Sequence, residues 1–176
     1  MSKKYPNIDS PTDGPFFMAA IEDHPFVDLI EEILGARGIL NLEAKFVQEN
    51  SVNWTYYDSE QRLSYWFSVS RDHRQKLYVT MNIGFALIPN LYRVESAMQL
   101  LRANTTVLAP VRYAVILENI VALEFSCHID WLTSTHLIHR VESMIEMAIH
   151  SQEKFINEES TLIFLPDDFF KTPLAI

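Results

Sequence analysis

Cys127 and His128 stand side by side, and a histidine close to a cysteine can take its proton and leave a nucleophilic thiolate. Adjacent side chains of a strand point to opposite faces, however, so the pair reads as a structural cysteine beside an independent histidine. His136 and His139 have the spacing at which two imidazoles share one helix face, with Asp130 or Glu142 near enough in sequence to serve a zinc ion. Nothing in the spacing fixes a third ligand, and both read as exposed or capping residues. Asp130, Ser134 and His136 supply the letters of a hydrolase triad without the Gly-x-Ser-x-Gly turn that would present the nucleophile. Four glycines in the whole chain leave no phosphate-cradling loop. Arg62, Arg71, Arg74 and Lys76, beside Tyr65, Trp66 and Tyr78, have the composition of a nucleic-acid stacking surface, although a solvated hairpin tip is the simpler account. No catalytic, cofactor-binding or metal-ligating residue is assigned from these letters, and no cofactor is expected.

The bulk composition points the same way. Hydrophobic residues make up 48% of the 176-residue chain and charged residues 21%, the balance of a folded globular protein. The net charge of −9 argues against binding to nucleic-acid phosphate or to an anionic membrane surface, because both reward clustered Lys and Arg. Cys127 is the only cysteine, so an internal disulfide and a multi-cysteine zinc site are excluded. No signal-peptide core follows the lysines at the start, and no apolar run approaches the ~18 residues needed to span a bilayer. The expected location is the cytoplasm.

Residues 1–14, rich in Pro, Ser, Asp and Asn, read as a flexible N-terminal tail, residues 15–157 as a single domain, and residues 158–176 as an apolar C-terminal tail. Phe26, Leu29, Ile30, Ile33 and Leu34 recur at helical spacing behind Pro25, with Asp23 or His24 as the cap, Gly35 or Gly38 as the stop, and Asp28, Glu31 and Glu32 on an acidic outer surface. Four period-two runs follow: Leu42, Ala44 and Phe46; Val52, Trp54 and Tyr56; Leu63, Tyr65, Phe67 and Val69; and Leu77, Val79, Met81 and Ile83 in a strand ending at Gly84. They predict an antiparallel meander. Asn90 can cap a second helix whose shared apolar face is Leu91, Val94, Met98 and Leu101. A hairpin from Val111 to Cys127 turns at Glu118-Asn119, and a long helix from about Thr135 to Phe155 carries Leu137, Val141, Met144, Ile145 and Ala148 inward.

This order of helix, meander, helix, hairpin and long terminal helix, with Leu77-Tyr-Val-Thr-Met-Asn82 as the strand before the second helix, resembles the type III secretion chaperone-like fold. The nearest relatives by this resemblance are the YbjN-type proteins and the class I secretion chaperones, over residues 15–157. The resemblance implies an α+β fold of pattern α-ββββ-α-ββ-α. It also implies a small acidic cytosolic protein, commonly a homodimer, that acts by binding proteins.

With Leu117 opposite Ile120, the hairpin shows an apolar face on both sides, one of them holding Val111, Val115, Leu117, Ile120 and Ala122. Three helices on one side of a sheet leave the other uncovered, so a second copy of the chain is expected to cover it. Leu162, Phe164, Phe169 and Phe170 complete the candidate protein interface, although packing on their own domain is the favoured expectation for the tail. The expected partners are therefore the chain itself and a further protein, with no nucleic acid and no membrane. The alternative from another class is a small-ligand sensor or enzyme, its pocket lying between the sheet and the terminal helix and lined by Trp54, Trp66 and Trp131.

Overall fold

The computed structural model describes residues 20–105, 110–157 and 162–166. The predicted N-terminal tail therefore lies outside the described residues, as do Phe169 and Phe170. Three helices, α1 (Pro25–Ala36), α2 (Arg93–Asn104) and α3 (Ser134–Asn157), accompany one sheet of β1 (Lys45–Gln48), β2 (Ser51–Asp58), β3 (Leu63–Arg71), β4 (Leu77–Leu87), β5 (Val111–Ile116) and β6 (Ile120–His128). The element order is α-ββββ-α-ββ-α, as expected. All strand pairs are antiparallel, in the spatial order β1-β2-β3-β4-β6-β5.

Local chemistry accounts for most boundaries. His24 caps α1, its Nδ1 accepting from the Phe26 amide at 3.3 Å, and Pro25 occupies the first turn. Gly38 ends the helix at a φ of 69°, with Ile39 N–H donating to the Leu34 carbonyl and Gly38 N–H to that of Gly35. Asp58 and Asp72 close the second and third of the three meander turns by accepting backbone amides through Oδ1. Thr133 caps α3 through a bond from His136 N to its Oγ1. The first expected strand starts late: Leu42–Ala44 is a 3-10 turn, and pairing begins only at Lys45 opposite Trp54.

One face of the sheet packs on α1 and α3. Val52, Trp54, Tyr65, Phe67, Val79, Met81, Leu123 and Phe125 meet Val27, Ile30, Leu34, Leu137, Val141 and Met144 in one core. Glu31, expected on the outer acidic surface, turns inward to accept from Trp54 Nε1 at 3.1 Å and to pair with Lys45 at 2.6 Å. β4 outruns its expected end through a bulge that sets Phe85 and Ala86 opposite Val121. Phe85 enters the core against Tyr113 and Phe155, and the buried Gln152 of α3 donates to its carbonyl at 3.1 Å. Gly84 is required just before the bulge, because a Cβ there would meet Ser64 Oγ at 2.5 Å and Ile120 Cγ2 at 2.8 Å.

The other face is not the apolar surface expected. The register pairs Ile116 with Ile120 and Val115 with Val121, one step from that predicted, because the loop has three residues. Leu117 and Glu118, not Asn119, take the left-handed backbone, at φ of 46° and 71°. The slip exchanges side chains between faces: Val115 joins Val111, Tyr113, Val121 and Leu123 on the helix-covered side, while Arg112, Ala114 and Ile116 share the second side with Ile120, Ala122 and Glu124. Asn53, Thr55, Ser68, Thr80 and Asn82 extend that side as a polar surface. Ile120 and Ala122 are buried on it within the chain, as is Leu165 of the C-terminal segment, apart from the main core. The neighbouring Pro166 carbonyl accepts from Tyr57 OH at 3.0 Å.

Candidate functional site

α2 stands at the β5 edge with its apolar face outward. Asn104 fixes its rotation: Nδ2 donates to the Tyr113 carbonyl at 2.9 Å, and Oδ1 accepts from the Tyr113 amide at 2.6 Å. This side chain satisfies both backbone groups of one residue on an edge strand, as a further strand would, and so blocks strand addition at that point. Ser96 and Leu100 face inward. At 3.6 residues per turn Leu100 lies about 200° around the helix from Met98, so the richer stripe meets water. Val94 is 74% exposed, Leu101 63% and Met98 50%; Leu91, 87% exposed, continues the stripe from the 3-10 turn Asn90–Tyr92 that precedes α2, so Asn90 does not cap the helix as expected. Sequence reasoning found this shared apolar face without placing it against the core or solvent. Within α2 the spacing of Val94, Met98 and Leu101, four and then three, is that of the narrow seam of helix-on-helix packing, and that signal was present in the letters.

The other predicted interface residues divide by burial. Val111, Ile120, Ala122 and Leu162 are buried in their own chain, which withdraws them as surface; Val115, Leu117 and Phe164 are exposed. Phe164 lies under the Arg62 guanidinium, 5.2 Å from ring centroid to Cζ. Ile163 pairs its backbone with Leu87, with amide-to-carbonyl distances of 2.8 and 3.0 Å in the two directions. The described part of the tail thus packs on its own domain.

The residues read first for chemistry do not converge. Cys127 Sγ donates to the His128 carbonyl at 3.4 Å, while the His128 imidazole turns to Asp130, accepting from its amide at 3.2 Å. Burial pushes the Cys127 thiol up, opposed in part by Arg140. Among the described residues no group of three or more His, Cys, Asp or Glu converges as a metal site. The side chain of Ser134 lies outside the described ones. Arg62 and Arg71 flank β3 at opposite ends, separated by about 27 Å of strand, so the basic cluster of the sequence is not one patch.

The three tryptophans are also apart: Trp54 is in the core, Trp66 faces the second side of the sheet, and Trp131 is 78% exposed. A cleft of about 470 Å³ does lie between β6 and the start of α3, lined by Phe125, Cys127, Trp131, His136 and Arg140 among others. No helix of the described residues is long and apolar enough to cross a membrane. No family model matches the chain, and no curated protein matches it.

Proposed function

We propose that the protein acts by binding protein rather than by catalysis, in the manner the secretion-chaperone resemblance implies, and that it does so as a cytoplasmic homodimer joined through α2. The observation that carries this reading is the outward stripe of Leu91, Val94, Met98 and Leu101. An apolar seam at this spacing suits a second helix better than a flat surface, and a two-fold axis supplies an identical one. Burying four such side chains on each of two copies contributes at most roughly 12–24 kcal/mol to the pair, against an association cost of about 4–15 kcal/mol. Val115 and Leu117, exposed on the strand and hairpin beside the seam, can add to the contact. Local charge does not oppose pairing: α2 carries Arg93 and Arg102 against Glu95, although the whole chain is at −9. Antiparallel pairing about Met98 brings Glu95 of each copy toward Arg102 of the other.

Sedimentation of the full chain at tens of micromolar tests the dimer. The expected mass is twice 20.4 kDa, and V94S/M98S/L101S is expected to sediment as a monomer with unchanged circular dichroism. A wild-type monomer at that concentration removes the homodimer.

A further inference from the structure

The geometry points to the cleft between β6 and the start of α3 as a binding site for a small aromatic carboxylate, held by the Arg140 guanidinium and the Trp131 indole. The floor of the cleft is the Phe125 ring, and the Arg140 guanidinium lies over it with Cζ 5.4 Å from the centroid. A guanidinium stacked in this way still offers its N–H edge to a planar anion. Among the described residues Arg140 has no carboxylate partner. Of the acids nearby in sequence, Glu142 pairs with Arg37, and the exposed Asp130 carboxylate is not among the residues that line the cleft. Among the described residues no acid lines the cleft. In a chain of net charge −9, an acid-free recess built around an arginine selects for negative charge.

The rest of the lining sets the ligand's other half. Phe125, Leu132 and Pro110 are apolar, which disfavours a small, fully hydrated anion such as phosphate. Trp131 stands at the rim on a 3-10 turn, Ile129–Trp131, braced where His128 Nδ1 accepts the Asp130 amide. An indole so exposed offers a flat face for a ring. The volume of about 470 Å³ lies within the ordinary range for small-molecule sites. A ligand with a carboxylate one or two bonds from an aromatic ring satisfies both walls at once. The cleft uses no residue of the α2 seam, so it stands or falls independently of dimer formation.

Calorimetric titration of the full chain with benzoate, phenylacetate and indole-3-acetate tests the site. At least one is expected to bind saturably, with its neutral amide at least roughly tenfold weaker. R140M and W131A are each expected to weaken binding by at least about tenfold while leaving the melting temperature near that of the wild type. Arg140→Lys, which keeps charge but loses the planar fork, is expected to fall between. The proposal is overturned if none of the three acids binds saturably, if acid and amide bind equally, or if R140M binds like the wild type.

Discussion

An N-cap histidine holds its helix only while its acceptor nitrogen is free of a proton. His24 is such a cap, and burial, helped by the neighbouring Arg71 guanidinium, lowers its pKa from the ordinary 6.5. The unfolded chain then takes up the proton more readily than the folded one. The cap's contribution is complete above about pH 6.5 and is lost as pH falls through the folded value. Urea midpoints should therefore drop between about pH 7.5 and about pH 5. H24N keeps a capping acceptor without the titration, and its profile should be flatter over that interval; parallel profiles would assign the slope to other groups. His24 was one of two caps the sequence offered, since a cap is a local matter of which side chain reaches back to the first turn. Glu31 was not readable in the same way. Its turn toward Trp54 and Lys45 depends on a strand that arrives 14 residues later, at Lys45.

At the scale of elements, periodicity was informative wherever one face of an element is buried and the other is wet. The rows Leu63 to Val69 and Leu77 to Ile83 lie where alternation puts them, and α1 and α3 bury the stripes their spacing predicts. α2 does the opposite: Ser96 and Leu100 face inward, and the end of the helix is tied by two hydrogen bonds between Asn104 and Tyr113, on a strand beyond the next loop. The β5–β6 loop departs from expectation for a related reason. Asn119 is the residue suited to positive φ, yet Leu117 and Glu118 take it, and the register moves by one. Each costs about 1–2 kcal/mol relative to an unstrained backbone. E118G should thus raise stability by about 1 kcal/mol in urea titration, with no change in the pairing seen by amide exchange. A loss of stability would mean that the side chain at 118 contributes more than its backbone costs. The bulge of β4 did have a local sign, a glycine inside a strand pattern, and Gly84 sits beside it.

For the whole molecule, the described part of the C-terminal segment, residues 162–166, packs as part of the fold. Leu165 is fully buried although the main core lies elsewhere, whereas its neighbour Ile163 contributes mainly backbone. L165A should cost about 2–5 kcal/mol in urea titration and I163A much less. Equal small losses would show that the segment packs only loosely. Composition and spacing alone were enough for the class of the protein and the order of its elements, and they narrowed each end of the first helix to two candidate residues, because each follows from neighbours within a few residues. Which faces meet water was settled by long-range contacts: the Asn104 clamp on Tyr113, the three-residue loop at Leu117, the tail crossing to Tyr57, and Arg140 lying over Phe125. An apolar stripe records that a residue prefers to be covered. It does not record by what, since the covering group comes from a distant part of the chain or from a second molecule.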